Sequence, residues 1–370
     1  LRVAVLGAGG TIAPAIVRDL AESDEVSELV LLDLDAERAA AVAEAHGGSK
    51  AIATRVDATA ERAEPGSLPG ALAGCEALVN SASYRVNVDA MRACLEARCH
   101  YIDLGGLYWV TGDQLALSPD FEAAKLTAVL GVGSAPGKTN LMARVACDRL
   151  GGNADEIHVS AAGRDPAPPP GFSIPYALRT LIDELTMSPV VIRDSEPREI
   201  EPLADGGTVD FGDPIGVGES IYTLHSEMRT FGSSFGCREG SFRLSLSPPV
   251  LERLRELVDA SEDEIEEAAR TALPSSREAV GVHLVEATRG DRAARVRAVT
   301  MPHQGWGLGG GIVSTAAPAA AAVRLMARGS ISARGALPPE SCIDPEEMFA
   351  ELEGRGATFE VDVTEGVTQG

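Results

Sequence analysis

The chain opens with Leu1-Arg2-Val3-Ala4-Val5-Leu6 and runs straight into Gly7-Ala8-Gly9-Gly10-Thr11-Ile12. A helical pattern from Ala13 to Glu22 follows, then the apolar run Leu29-Val30-Leu31-Leu32, which ends at Asp33. No other feature constrains the fold as tightly as this order of strand, glycine turn, helix, strand and acid. Glycines let a backbone approach a pyrophosphate, and a helix N-terminus presents N–H groups and a positive dipole to it. An acid closing the second strand can accept hydrogen bonds from adenosine ribose hydroxyls. Gly7 and Gly9 fit the first two glycine positions of that turn, while Ile12 stands at the third and Gly10 does not restore the spacing. The third glycine serves close helix–strand packing, so a slightly displaced helix with binding retained is expected. Gly7, Gly9, Gly10, Thr11, Ile12 and Asp33 are the first predicted cofactor residues.

Beyond Asp33, Asp35 adds a second carboxylate, and two carboxylates favour NAD because they repel the 2′-phosphate of NADP. Arg38 keeps NADP possible, since a nearby arginine can accept that phosphate. The strand 51–56 ends at Asp57, which either approaches the adenine edge or caps a helix. The strand at Ala77-Leu78-Val79 ends in Asn80-Ser81-Ala82, small residues that leave room for ligand at the carboxyl edge of a parallel sheet. The strand–acid–glycine design recurs at His100 to Gly106, which adds Gly105 to the cofactor set.

Strands and helices alternate five or six times before residue 137, as a doubly wound sheet requires. From Asp155 the texture changes. A Pro-rich loop (165–171), expected helices at 174–187 and 250–260, and a hairpin around Arg289-Gly290-Asp291 read as a mixed sheet with helices. A small-residue helix, Ile312 to Arg328, closes the pattern. The predicted fold is α/β: a Rossmann doubly wound parallel sheet with an inserted α+β substrate and dimerisation domain. The expected division is 1–137 with 312–370 for the dinucleotide domain, and 138–311 for the insert.

A formal charge of −23 argues against nucleic acid or an anionic membrane as partner. Only Lys50, Lys125 and Lys138 are lysines, and arginine carries the other positive charges. Six cysteines are scattered without a C-x-x-C pair or metal-type spacing, so no metal is expected and a reduced, cytoplasmic setting is. Leu1 already belongs to a strand, so no signal peptide is expected, and the apolar stretch 312–327 is too short to span a bilayer. A homodimer or higher homo-oligomer built through the middle sheet is expected.

Several motifs together resemble the saccharopine reductase-like oxidoreductases, and within them the L-lysine 6-dehydrogenases. They are Gly7-Ala8-Gly9, Val79-Asn80 with Tyr84, Asp103-Leu104-Gly105-Gly106, and Gly131 through Ala135-Pro136-Gly137 to Asn140. The segment from Pro318-Ala319-Ala320 to Leu337-Pro338-Pro339-Glu340 adds to them. The resemblance spans nearly the whole chain and is weakest between about 150 and 300, where substrate would be chosen. It implies oxidation of a C–N bond of an amino acid or amine, with hydride passing to the nicotinamide. The runners-up are an NADPH-dependent reductive condensation of saccharopine or carboxynorspermidine type and a dinucleotide sensor without turnover.

Such chemistry needs a base for the amine proton. Candidates are Tyr84, His100, Asp103, Lys138, His225 and Glu227. Asp103 has the leading placement, at a strand's carboxyl end before two glycines. His225 and Glu227 are expected on one face of a strand edge. Arg229 and Arg243 are the expected carboxylate clamps, because guanidinium pairs bidentately with carboxylate. Lys138 is a further candidate for a carboxylate, and Asn140 for substrate.

Overall fold

The computed structural model describes residues 1–60, 66–174, 178–258 and 260–366. The chain divides into two units, Leu1–Gly137 with Thr315–Glu351, and Lys138–Ser314 with Leu352–Gly370.

The first unit alternates strand and helix: β1 (Arg2–Leu6), α1 (Ala13–Ala21), β2 (Glu28–Asp33), α2 (Ala36–His46) and β3 (Ala51–Arg55). It continues through β4 (Ala77–Asn80), β5 (His100–Asp103) and β6 (Thr127–Val129). These strands and Gly335–Leu337 form a seven-stranded parallel sheet, ordered Gly335–Leu337, β6, β5, β4, β1, β2, β3. Strands covered on both faces must be apolar throughout, which is why β1 and β2 read as unbroken hydrophobic runs. Strand order reverses at β1, and ligands bind α/β sheets outside the carboxyl ends of strands at such a reversal. The helix Gly310–Ala327 is apolar and built largely of small residues. Its Arg324, buried, pairs with Asp19 of α1 at 2.9 Å and with Glu351 at 2.7 Å.

The second unit is built on a nine-stranded mixed sheet. Its central strand, Glu156–Arg164, lies between Glu239–Ser245, parallel to it, and Val280–Arg289, antiparallel. Val280–Arg289 and Arg292–Thr300 form the expected hairpin, with Gly290 at φ +58° in its turn. Strand alternation sorts the side chains. Ala162, Val282, Leu284 and Val299 pack with Val209 and Phe211 on one face. Phe242, His283 and Thr300 therefore lie on the other, against which the helix Lys138–Arg149 packs.

Two expectations are corrected. The tail 312–370 does not return whole to the first unit, because Ala357–Glu365 pairs along its length with Arg292–Thr300. Its alternating Phe359, Val361 and Val363 are the sequence signal for that strand. His225 and Glu227 do not share a strand edge, since the strand ends at Tyr222 and Glu227 opens the helix Glu227–Phe235. Residues 175–177 and 259, which fall within the expected helices 174–187 and 250–260, lie outside the described residues.

Candidate functional site

At the end of β1 the chain forms a cradle that only glycine permits. Gly7 has φ +75°, and a Cβ there would lie 2.6 Å from both Cα and N of Ala82. A Cβ on Gly9 would lie 2.8 Å from Arg38 Cβ and 3.2 Å from Asp33 Oδ2. The Asp33 carboxylate accepts from Gly9 N at 2.8 Å and from Asp35 N at 2.9 Å. It therefore stands at the mouth of the glycine turn, where a ribose would be read. Gly10 N closes the turn on Gly7 O at 3.0 Å, and Thr11 is exposed. Ile12, buried, holds the N-cap position of α1 and offers no side-chain cap. In the first turn of α1, Pro14 has no N–H and Ala15 N donates to Ile12 O at 3.1 Å, so only the Ala13 N–H there is left without a side-chain cap from Ile12. The glycine turn, where the backbone comes close to β4 and to Asp33, fits a dinucleotide.

The other predicted cofactor residues divide. Arg38 is exposed beside Gly9. Asp35 is the N-cap of α2, its Oδ1 accepting from Glu37 N and Arg38 N at 3.1 Å each. Asp57 accepts from N and Oγ1 of Thr59 in a tight turn, which holds its carboxyl below the usual range. Asp57 therefore closes a turn on Thr59 and does not cap a helix. Ser81 Oγ donates to Leu6 O at 2.8 Å, and Asn80 Oδ1 accepts from Ala82 N at 3.1 Å, so these side chains shape the carboxyl edge between β1 and β4.

Asp103 is corrected as the leading base. It is buried, and each oxygen is occupied. Oδ1 accepts from Gly131 N at 2.6 Å and Gly105 N at 3.0 Å, and Oδ2 accepts from Gln114 at 2.5 Å and Asn87 at 3.2 Å. Burial raises its pKa, while Gln114 and Gly131 oppose the rise. Its arrangement braces the turns after β5 and β6. Gly105, at φ +134°, belongs to that brace, since a Cβ there would sit 2.9 Å from Pro136 Cγ. His100 is structural as well, with Nδ1 accepting from Thr127 N at 3.0 Å. Tyr84 lies half-buried in a short 3₁₀ turn, with the Arg85 guanidinium 5.2 Å from its ring centroid.

In the second unit the structure brings together residues that are far apart in sequence. His225, buried, stacks on Phe242 with ring centroids 3.4 Å apart. Its Nδ1 lies 3.2 Å from Glu227 Oε2, and its Nε2 lies 3.8 Å from Glu184 Oε1. Thr139 Oγ1 donates to the other Glu227 oxygen at 2.8 Å. Burial alone would lower the His225 pKa, but the charges of Glu227 and Glu184 outweigh it and raise the pKa above the ordinary value. Lys138, fully buried, donates from Nζ to Ser314 Oγ at 2.6 Å and Thr300 Oγ1 at 3.2 Å. Burial pushes its pKa down to about 7. His283 is held well below the ordinary histidine range by burial and by the charges of Lys138 and His225.

His283 and Glu184 are not among the residues expected from sequence. The one signal for His283 is a polar side chain at an inward position of the apolar strand Val280–Arg289. The arginine clamps are corrected: Arg243 follows Phe242 in the strand and so points to the opposite face from His225. There it lies 3.8 Å from Glu286 and donates to Gly206 O. Arg229 is exposed on the helix Glu227–Phe235. Asn140 is buried in the first turns of the helix Lys138–Arg149.

Residues 3–129 match the saccharopine dehydrogenase NADP-binding domain family. Among solved structures, the chain is similar to apo saccharopine dehydrogenase (L-Glu forming) from Saccharomyces cerevisiae, with 16% identity and TM-score 0.69. The match covers 98% of this chain and 99% of that one. A myo-inositol dehydrogenase from Corynebacterium glutamicum matches at 16% identity and TM-score 0.42, covering 97% and 98%. The UDP-N-acetylglucosamine 3-dehydrogenase of Acidithiobacillus ferrooxidans matches at 12% identity and TM-score 0.41, covering 96% of each chain. The yeast structure shares the fold, and the domain match supports a nicotinamide dinucleotide as the cofactor.

Proposed function

We propose, from the premise that residues 3–129 make this a saccharopine dehydrogenase-like chain with a nicotinamide dinucleotide as cofactor, that it oxidises the C–N bond of an amino acid or amine. The supporting observation is the buried pair His225–Glu227, oriented by Thr139. An imidazole fixed by a carboxylate, itself fixed by a third group, is the arrangement of a general acid–base pair. When bound, the nicotinamide supplies an acceptor for the hydride that leaves the nitrogen-bearing carbon. In its neutral form His225 takes the proton that the substrate ammonium must lose, and the resulting imidazolium is stabilised by Glu227 and Glu184. The raised pKa favours the imidazolium, which is the form that donates a proton to nitrogen when the imine is reduced in the reverse reaction.

NAD is the proposed partner over NADP, because the Asp33 carboxylate is held at the mouth of the glycine turn. The test is a panel of amines and amino acids with each dinucleotide, followed at the reduced-nicotinamide absorbance band. Reduction of NAD by at least one of them, with NADP slower, is expected. Tight binding of both dinucleotides with no turnover across the panel would instead support a dinucleotide sensor.

A further inference from the structure

At the carboxyl ends of β4 and β5 lies a buried set of polar side chains that the proton transfer does not use. Tyr101, Asn80, Asn87, Gln114 and Asp103 are each at most 1% exposed. The Asp103 carboxylate, an acceptor only, sets the direction of the bonds that lead away from it. Tyr101 donates its hydroxyl proton to Asp103, and Asn87 Nδ2 donates to Asp103 Oδ2 at 3.2 Å. Each of the two then offers an acceptor, the Tyr101 oxygen and Asn87 Oδ1. Asn80 Nδ2 donates to both, at 3.1 Å to Tyr101 and 2.9 Å to Asn87. With its amino group held there, Asn80 turns Oδ1 toward the chain ahead, where it accepts from Ala82 N at 3.1 Å. The charge on Asp103 thus decides which way the Asn80 amide faces, and the amide fixes the turn at Ala82.

That turn faces the glycine turn. Ala82 N and Cα each lie 2.6 Å from the place a Gly7 Cβ would take, and Ser81 N donates to Leu6 O at 2.9 Å. β1 and β4 are neighbours at the reversal of strand order, and a dinucleotide crosses an α/β sheet at such a reversal. Asp33 ends β2, on the other side of β1. With the adenosine ribose read at Asp33, the nicotinamide half passes to the β4 side, over the turn that Asn80 fixes. We infer that Asn80 and Tyr101 are positioning residues for the nicotinamide half of the dinucleotide, holding the Ala82 turn at its spacing from the glycine turn. This rests on the reading that the dinucleotide lies at the glycine turn. Both side chains are buried, so they act through the backbone of Ala82 and not by touching the cofactor.

The test is a calorimetric titration of the full chain with NAD and with AMP, which carries only the adenosine half. Asn80→Ser keeps an oxygen that can cap Ala82 N but gives up both bonds to the network. Tyr101→Phe removes one of those bonds and leaves Asn80 in place. Each should weaken NAD about tenfold, while AMP stays within about twofold of the unmodified chain. Gly7→Ala, whose methyl would meet Ala82, should weaken NAD as well. Normal NAD binding by Asn80→Ser would show that the cap alone suffices and would overturn the inference. Equal losses of NAD and AMP would do the same, because a merely loosened fold does not distinguish the two halves. If Gly7→Ala binds NAD as tightly as the unmodified chain, the dinucleotide lies elsewhere, and the reading beneath the inference fails instead. A measurement without variants covers the case in which they do not fold. Hydrogen–deuterium exchange over residues 80–87 should slow more with NAD bound than with AMP bound. Equal exchange with the two ligands would overturn the inference on its own.

Discussion

Asp103 and Glu227 are both buried carboxylates with several partners, yet they support opposite kinds of work. Asp103 receives donors from two turns, two amide side chains and the Tyr101 hydroxyl, so no oxygen is left for a substrate proton. Asp103→Asn places an amide N–H against one of those donors. It should cost about 1–3 kcal/mol of stability in denaturant unfolding, while the limbs of the pH–rate profile stay in place. A lost limb with unchanged stability would restore Asp103 as the base. Glu227 instead faces an ionisable ring. Its charge raises the His225 pKa, and oxidation needs the neutral ring, so the rate should rise with pH through that pKa. Glu227→Gln removes the charge, lowers the pKa and should move the limb to lower pH by roughly one unit. A limb that does not move would assign the titration to Lys138, which burial holds at about 7.

The elements show why some of this was legible in the sequence and some was not. In β1 and β2 every level agrees: an apolar run, a glycine turn that needs φ above zero, and an acid at the strand end. That agreement made the sheet and the cofactor end readable. The stretch around His225 misled because His225 and Glu227 lie two residues apart just past the strand that ends at Tyr222, a spacing that would put both on one face if the strand ran on. The helix that begins at Glu227 is also rich in weak helix formers, with Gly232, Ser233 and Ser234 in its interior. His283 was hidden for the opposite reason, since one polar residue in an apolar strand carries no periodicity of its own. The helix Gly310–Ala327 was readable by its small residues, but the ion pairs that hold it were not, because Asp19, Arg324 and Glu351 meet only in the fold. Arg324→Met leaves two carboxylates without this partner and should lower stability by about 3–5 kcal/mol. A loss below about 1 kcal/mol in urea unfolding would show that the helix is held by packing alone.

Over the whole molecule the chemistry divides between the two units. In the function proposed above, Gly7, Gly9 and Asp33 of the first unit hold the dinucleotide, and His225 and Glu227 of the second move the proton. The central claim is that hydride leaves a carbon that bears nitrogen. Its most direct test uses a substrate identified by turnover, deuterated at that carbon, with mass analysis of the nicotinamide after one turnover. The account predicts one deuterium on each reduced nicotinamide and a product that has lost it. A reduced nicotinamide without deuterium would contradict the claim.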